Sequence, residues 1–369
     1  MDRKIVTFVS LALLAVLAIG QVFTAGRGFS NLENRYLETF PDADAEAISN
    51  GEWMDQLETY LADHVPGRDA WVQLKNTAVR LSGRQQIGKV VFAEDDRLIQ
   101  VEDVSLDQLE KNVEFMAALA QGLPVGVEMN LLVVPNASWV YQGSLPADTP
   151  MYEPEEAAAI IQETLADRLC VTIPIESLRR HKEEAIYFKS DHHWTMRGAA
   201  YAYEELAEAM GIDADPFSYE PVVMGQDFIG SIYSQVPTFG YEGEDFEVFQ
   251  VPSLEATWSN GESSGTVLMK ENFQEKDQYT AFFGGNYGMV RIENEAARSS
   301  EKLLILKDSY ANILVPFLIE EYSEIVMVDL RYYSGSVKTL AMEEAVDRVL
   351  AVYNLDFLCT DGNFAWMGV

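Results

Sequence analysis

An aspartate and two histidines stand together in the string DHHWT, residues 191–195. Residues 196–210 follow directly with apolar side chains at helical spacing, and Thr195 suits the N-cap of that helix. A histidine held by a carboxylate has its tautomer fixed and its cation stabilised, as a general base in acyl transfer requires. We therefore predict that His193 is a base, oriented by Asp191, on the loop that enters a helix.

The best candidate for a nucleophile is Ser309. It follows the apolar run 303–306 and a short polar turn, and helix-like sequence comes next. Such strand-to-helix junctions present reactive groups at the carboxyl ends of parallel strands, and their backbone N–H groups face the charge that develops on a substrate oxygen. Asn286 follows two glycines and could also donate to such an oxyanion, although a turn-forming asparagine fits the string equally well.

The string Asp191-His192-His193-Trp194 resembles the signature of the DHHW family of Gram-positive bacteria. That family is similar to the SGNH-hydrolase-like (AlgX/AlgJ-like) proteins of alginate O-acetylation. In those relatives an Asp-x-His-Trp motif precedes the nucleophilic serine, the reverse of ordinary SGNH esterases, and the order of Asp191, His193 and Ser309 matches. Further segments look like family blocks, namely residues 33–35, 63–69, 230–231, 284–286, 307–312 and 329–333.

The resemblance implies a catalytic triad of Ser309, His193 and Asp191. It implies that the Asn286 side chain and the amide of Ser309 or Tyr310 donate to the oxyanion. The expected fold is an SGNH-hydrolase-like (flavodoxin-like) three-layer α/β sandwich with a largely parallel sheet and a permuted order of motifs. The expected partner is a membrane-bound O-acyltransferase that supplies acetyl groups. His192 occupies the variable position of the motif, and its role stays open.

Structural alternatives exist for each of these residues. Asp191 and His193 would then only cap backbone groups of a helix-entry loop, and Ser309 would be a turn serine at a strand end. A metal site at the adjacent histidines is disfavoured because consecutive residues rarely aim at one ion. We predict neither a metal nor a cofactor.

Three further side chains are candidate substrate contacts. Trp194 would pack beside the acid-base pair and reduce water access, and Arg197 and Arg331 would bind an anionic group of a glycan. Packing of the tryptophan and salt bridges of the arginines are the simpler interpretation. Aromatic residues between 215 and 300 could stack on sugar rings, or pack an insertion.

The elements around these residues alternate as in α/β proteins. Strands are predicted at the apolar runs 131–135, 170–175, 303–306, 325–328 and 356–359. Helices are predicted at 51–81 with a break at 64–67, and at 154–169, 310–322 and 337–353. Strands joined through helices favour a largely parallel sheet covered on both faces. Residues 215–300 predict a loop- and β-rich insertion.

We divide the chain into three regions. Residues 1–28 are a membrane anchor or signal segment, 29–85 a juxtamembrane connector and helical region, and 86–369 the SGNH-like catalytic domain with its insertion. From Ile5 to Ala25 there are 21 uncharged residues, preceded by Arg3 and Lys4. This length suits a helix that spans a bilayer with its amino terminus inside. We predict a single-pass cell-membrane protein with an extracellular body, and secretion after signal cleavage is the alternative.

Charge and cysteine content exclude other classes of protein. The chain has 26 Lys and Arg against 59 Asp and Glu, a net charge of −33, which repels nucleic acid. With two cysteines, Cys170 and Cys359, a disulfide framework is excluded. Both cysteines lie in apolar runs and are expected to be buried, with a single disulfide between them as the alternative.

These features predict O-acetylation of a cell-envelope polysaccharide outside the cytoplasm. The same residues would serve a carbohydrate acetylesterase that uses water as the acceptor. A third hypothesis, from another class, is a non-catalytic polysaccharide-binding or scaffolding protein.

Overall fold

The computed structural model of the protein describes residues 3–24, 27–104 and 106–368. They divide into two units: residues 1–87 with 233–241, and residues 88–232 with 242–369. The helices at the start of the chain are α1 (Arg3–Thr24), α2 (Ala45–Asn50), α3 (Glu52–Asp63) and α4 (Arg68–Leu81). The first strands are β1 (Phe29–Ser30), β2 (Arg35–Tyr36) and β3 (Gln86–Ile87). The helix break predicted at 64–67 is confirmed.

The apolar amino-terminal segment forms helix α1. In the part of the chain that the structure describes, however, no helix combines the length and the apolar character that crossing a membrane requires. The predicted membrane helix is therefore not supported. Residues 1, 2, 25 and 26 of the segment 1–28 lie outside the described residues.

From residue 88 onward the strands are β4 (Val90–Phe92), β5 (Leu98–Gln100), β6 (Glu128–Val134), β7 (Cys170–Thr172), β8 (Pro221–Phe228), β9 (Glu244–Phe249), β10 (Thr257–Ser259), β11 (Ser264–Thr266), β12 (Met289–Glu293), β13 (Lys302–Lys307), β14 (Glu324–Val328) and β15 (Arg348–Asn354). The helices are α5 (Leu106–Gly122), α6 (Ala137–Val140), α7 (Pro154–Leu165), α8 (Ile175–Arg180), α9 (Met196–Met210), α10 (Ser231–Gln235), α11 (Ala311–Leu314), α12 (Val337–Glu343) and α13 (Leu355–Thr360).

An eight-stranded sheet organises the second unit, in the order β11-β10-β12-β14-β13-β15-β6-β7. The strands from β14 to β7 pair in parallel, and β12, β10 and β11 continue the sheet antiparallel. The predicted largely parallel sheet is therefore confirmed. The region 215–300 does more than form loops, because three of its strands extend this sheet and β8 pairs with β9.

Both faces of the sheet are buried. Along β13 the side chains of Leu303 and Ile305 enter one apolar core, and those of Leu304 and Leu306 enter the other. The first core includes α9, and the second includes α5, α7 and α12. This arrangement gives the three layers expected of a parallel sheet between helices.

Two predictions near the carboxyl terminus are wrong. The run 356–359 lies in helix α13 rather than in a strand, and the predicted helix at 337–353 is α12 followed by strand β15. Strand β15 is buried on both faces, so its apolar run lacks the alternation that separates a strand from a buried helix. The predicted helix 310–322 is confined to α11 and one 3₁₀ turn at Val315–Phe317. Pro316 lies in that turn and has no N–H to continue an α-helix.

One of the two cysteines differs from expectation. Cys170 is exposed and Cys359 is buried, and both are free thiols. His64, in the turn between α3 and α4, is 3% exposed. Its ring nitrogens face the carbonyl oxygens of Tyr60, at 2.9 Å, and Arg27, at 3.0 Å. The ring thus donates to a backbone carbonyl oxygen inside the first unit.

Candidate active site

The loop that enters helix α9 carries the predicted base, His193, and the carboxylate predicted to orient it, Asp191. The Thr195 hydroxyl caps the helix by accepting from the N–H of Gly198 at 3.2 Å, as the sequence predicted. The same hydroxyl donates to the carbonyl oxygen of Ala185 at 2.5 Å. The loop upstream is held by Glu244, whose carboxylate accepts from the N–H groups of Lys189 and Ser190. A loop tied at both ends fixes the direction of the residues between them.

Three side chains form a continuous hydrogen-bond chain. His193 Nδ1 lies 2.6 Å from Asp191 Oδ1, and His193 Nε2 lies 2.8 Å from the hydroxyl oxygen of Ser309. An ionised carboxylate only accepts, so Nδ1 carries the proton and Nε2 accepts from the serine hydroxyl. The structure thus brings Ser309, from the turn after β13, together with His193, 116 positions earlier in the chain, and with Asp191 beside it.

Asp191 is held as a charged acceptor. It is buried, and it accepts from the N–H groups of His193 at 3.0 Å and Ser231 at 2.7 Å as well as from the imidazole. Burial alone would raise the pKa of Asp191. The electrostatic effect of the adjacent imidazoles of His192 and His193 and these hydrogen bonds outweigh burial, so the pKa of Asp191 lies below its ordinary value.

Gly230 makes this support possible. A Cβ at position 230 would lie 2.3 Å from the Cβ of Asp191, closer than real side chains approach. The N–H of Gly230 also donates to the hydroxyl of Ser190 at 2.9 Å. The chain therefore passes against the carboxylate only because this residue has no side chain.

Two hydrogen bonds join the histidine loop to the serine turn. The indole Nε1 of Trp194 donates to the carbonyl oxygen of Tyr310 at 3.0 Å, and the Tyr310 hydroxyl donates to the carbonyl oxygen of His192 at 2.5 Å. Trp194 is fully buried. In this structure its buried ring braces the two segments, which agrees with the simpler interpretation of packing, and a substrate contact stays a prediction.

The structure distinguishes between the two proposed backbone oxyanion donors. The N–H of Tyr310 donates to Asp308 Oδ1 at 2.9 Å, so it is not available to a substrate in this structure. No described residue accepts a hydrogen bond from the N–H of Ser309, which is half-buried beside its own hydroxyl. The Ser309 amide is therefore the better backbone candidate.

Asn286 lies beside the same turn. Its Oδ1 accepts from Lys307 Nζ at 2.9 Å and from Asn312 Nδ2 at 3.2 Å. Within the described residues its Nδ2 has no acceptor. Lys307 and Asn312, which lie on either side of Ser309 in the sequence, thus hold the oxygen of the Asn286 amide. Its Nδ2 is left able to donate to a substrate.

Sequence reasoning missed Tyr279. Its ring stacks on the imidazole of His193, with centroids 3.7 Å apart and an angle of 10° between planes. Its hydroxyl donates to the carbonyl oxygen of Ser309 at 3.2 Å. Tyr279 lies in a short 3₁₀ turn without periodicity, so no local pattern could have singled it out.

His192 occupies the rim of the site. Its side chain is 42% exposed, its Nδ1 lies 2.8 Å from the hydroxyl of Ser231, and its ring contacts that of His193 at a centroid distance of 3.8 Å. The potential ligand atoms of Asp191, His192 and His193 lie within 4.8 Å of one another. Hydrogen bonds within the chain already engage these groups, and the absence of a metal stays a prediction.

The two arginines predicted as substrate contacts are paired with carboxylates. Arg197 contacts Glu247 at 2.7 Å and Glu184 at 3.6 Å. Arg331 binds Asp329 through Nε at 2.9 Å and a terminal nitrogen at 2.6 Å. The simpler interpretation, salt-bridged arginines, therefore describes both in this structure.

Comparison with known proteins agrees with the motifs. The family model described as DHHW protein matches residues 164–328. A second model, described as SGNH hydrolase-like domain, acetyltransferase AlgX, matches residues 91–220. The resemblance to both families is confirmed, and the similarity at family level is to SGNH-like O-acetyltransferases. No curated protein sequence matches the chain.

Solved structures share this fold. A DHHW family protein from Eubacterium siraeum is 21% identical with a TM-score of 0.63, and the match covers 75% of this chain and 93% of that one. PatB1 of Bacillus cereus is 20% identical with a TM-score of 0.65, covering 74% and 98%. A structure of PatB1 with a sulfonyl adduct matches with a TM-score of 0.63 at 20% identity, covering 76% and 99%.

Proposed function

We propose that the protein is an O-acetyltransferase that moves an acetyl group to a hydroxyl of a cell-envelope polysaccharide through an acetyl-Ser309 intermediate. The observation that carries the proposal is the chain of hydrogen bonds from Asp191 through His193 to Ser309. Such a chain is the arrangement that activates a serine for acyl transfer. The family-level similarity to acetyltransferases supports the direction of the chemistry.

In the first half-reaction the Ser309 oxygen attacks the carbonyl carbon of the acetyl donor, and His193 Nε2 accepts the serine proton. Asp191 stabilises the imidazolium that forms. The tetrahedral intermediate then collapses, the donor's leaving group takes the proton from His193, and Ser309 carries the acetyl group.

In the second half-reaction a sugar hydroxyl attacks the acetyl carbon, and His193 takes its proton. Collapse of this intermediate breaks the bond to the Ser309 oxygen, which regains the proton from His193. During both steps the Ser309 N–H and the Asn286 amide donate to the carbonyl oxygen as it gains charge.

An acetylesterase with the same triad remains the second candidate. Ser309 is half-buried, not enclosed, so water can compete with a sugar hydroxyl for the acetyl group. A purely scaffolding role has less support, because it gives no reason for an aligned nucleophile, base and carboxylate.

Export and partner are further parts of the proposal. The uncharged run from Ile5 to Ala25 supports a location outside the cytoplasm. Because acetyl donors are made in the cytoplasm, a membrane-bound O-acyltransferase is the partner we propose as acetyl donor. The net charge of −33 favours an acceptor polysaccharide that is not strongly anionic.

The proposal is tested with the full chain and an activated acetyl ester. We expect intact-protein mass spectrometry to detect a gain of one acetyl group on the wild type and on Ser334→Ala, an exposed serine in the same unit, and none on Ser309→Ala. PatB1 carries a sulfonyl adduct in one structure, and we propose that a sulfonyl fluoride also labels Ser309 here. Equal acetylation of the wild type and Ser309→Ala would overturn the enzymatic proposal.

A partition experiment separates transfer from hydrolysis. Neutral oligosaccharides are added to the ester reaction, and acetylated sugar and free acetate are measured. We expect acetylated sugar to increase with oligosaccharide concentration at the expense of acetate. Release of acetate alone, at every concentration, would assign the protein as an esterase.

A further inference from the structure

Asn286 is useful as an oxyanion donor only if its amide points the right way. An asparagine amide has one accepting and one donating end, and exchanging them changes the shape of the side chain very little. With the ends exchanged, an oxygen would face the developing negative charge. A neighbouring group must therefore fix which end of the Asn286 amide points towards the substrate.

Lys307 provides that discrimination. An ammonium group only donates, so its Nζ, 2.9 Å from the Asn286 side chain, requires the oxygen at that end. The amide of Asn312, 3.2 Å from the same oxygen, agrees with this orientation. The Asn286 Nδ2 is thereby directed away from Lys307, and no described residue accepts from it.

The ammonium is itself held in place. Lys307 is the last residue of β13 and is 2% exposed. Its Nζ lies 3.9 Å from Asp329, which is fully buried and receives two hydrogen bonds from the Arg331 guanidinium. A buried cation is costly, and an apolar side chain at this position would avoid that cost.

The loop that precedes Asn286 has an unusual backbone conformation, which must be held by contacts with other segments. Phe283, Gly284 and Gly285 have φ values of 64°, 76° and 137°. The two glycines adopt positive φ without a steric penalty, but the phenylalanine does so at a cost, and it keeps this conformation only when its surroundings fix it. The bond from Lys307 to Asn286 fixes the end of this loop to the strand that leads to the nucleophile.

We infer that Lys307 is a positioning residue, which orients the Asn286 amide so that its Nδ2 donates to the oxyanion formed on the acetyl group at Ser309. The inference rests on the proposed function. It adds a specific dependence: Lys307 acts on the reaction only through Asn286 and touches neither the acetyl group nor the acceptor.

A double-mutant cycle on the full chain tests this dependence with an activated acetyl ester as the substrate. Asn286→Ala and Lys307→Met are each expected to lower kcat about 10²-fold with KM little changed, because the lost interaction exists only in the transition state. The double variant is expected to be no slower than Asn286→Ala alone. Multiplied losses in the double variant, or a wild-type kcat for Lys307→Met, would overturn the inference.

Two further variants separate orientation from structure. Asn286→Asp keeps an acceptor for Lys307 but has no donor, so we expect its kcat to be at least as low as that of Asn286→Ala. Lys302→Met is the matched control, because Lys302 lies at the other end of β13 and pairs with Glu324 at 2.7 Å. It is expected to leave kcat unchanged, and a loss equal to that of Lys307→Met would assign the effect to the strand.

The remaining outcomes are also decisive. If Lys307→Met does not fold, Lys307→Gln takes its place, because a glutamine can present either end of its amide and no longer selects one orientation of Asn286. An unchanged kcat in Lys307→Gln would overturn the inference.

The Ser309→Ala variant separates failure of this inference from failure of the proposed function. Loss of acetylation in Ser309→Ala, with wild-type rates in every variant at 286 and 307, would support the proposed enzyme activity and reject the positioning role of Lys307. Wild-type acetylation in Ser309→Ala would reject the proposed function itself.

Discussion

The ring of Tyr279 lies parallel to the imidazole of His193, with centroids 3.7 Å apart and planes inclined by 10°. The stack covers one face of the base, while Asp191 and Ser309 engage its two nitrogens. The orientation of the imidazole is therefore restrained in the plane of the ring by hydrogen bonds and out of the plane by Tyr279.

This stack predicts different outcomes for two substitutions of Tyr279. Tyr279→Phe keeps the ring and loses the hydrogen bond to the carbonyl oxygen of Ser309, so we expect kcat/KM within about threefold of wild type. Tyr279→Leu removes the stack and is expected to lower kcat/KM about tenfold, in line with the energy of an aromatic pair. The measurement is ester turnover. Equal losses in both variants would attribute the effect to the hydroxyl.

Replacing Asp191 by asparagine is expected to lower kcat by about 10³- to 10⁴-fold. The asparagine amide can donate to Nδ1, which favours the tautomer whose Nε2 carries a proton and cannot accept from Ser309. Circular dichroism should report an intact fold. The control is Asp213→Asn, an exposed carboxylate whose loss should leave turnover unchanged. Activity near that of wild type in Asp191→Asn would show that the carboxylate does not orient the base.

A methyl group at position 230 is expected to displace Asp191 or the loop that contacts it. In Gly230→Ala the new Cβ would meet Asp191 at 2.3 Å, so the loop or the carboxylate must shift. We expect a loss of about 1–3 kcal/mol in the free energy of unfolding, together with reduced turnover. Gly143→Ala is the matched control, because nothing lies within 4 Å of its added Cβ. Equal stability of the two variants by denaturant titration would contradict the predicted clash.

The buried Lys307 predicts a stability that rises with pH. Burial lowers the pKa of Lys307 to about 8 from 10.5, against the opposing effect of Asp329 and Asp308, and Arg331 lowers it further. Between these two values the unfolded chain binds more protons than the folded protein, so this group's destabilisation is full below pH 8 and disappears as the pH approaches 10.5. The difference in pKa corresponds to about 3 kcal/mol.

Denaturant titration of wild type and Lys307→Met at pH 7.5 and pH 10 measures this linkage. Lys307→Met lacks the titrating group, so the free energy of unfolding of the wild type should increase relative to that of the variant as the pH rises. If the wild type and Lys307→Met differ by the same free energy of unfolding at both pH values, burial does not lower the pKa of Lys307.

Local patterns predicted the elements whose residues carry a clear period or a cap. Helix α9 and its N-cap at Thr195 follow from apolar spacing and one hydroxyl, and the break before Arg68 follows from a turn sequence. Strand β15 was missed because burial on both faces removes the alternation that identifies a strand.

For the site, too, local sequence predicted some residues, whereas contacts between distant segments could not be predicted. Asp191, His193 and Ser309 could be selected from residue type, from the strand-to-helix junction and from the resemblance to a family. The stack of Tyr279, the close approach of Gly230 and the bond from Lys307 to Asn286 join segments far apart in sequence. No period or spacing records such contacts, because packing of the folded chain alone creates them.

The base and the nucleophile are separated by 116 residues, and the two bonds between Trp194, Tyr310 and His192 form only when both segments are present. Because synthesis starts at the amino terminus, the loop with His193 is made before the turn with Ser309. A nascent chain holds an imidazole and a carboxylate but nothing for them to activate. The activation that we propose for Ser309 therefore requires both segments, and it requires that strand β13 has entered the sheet.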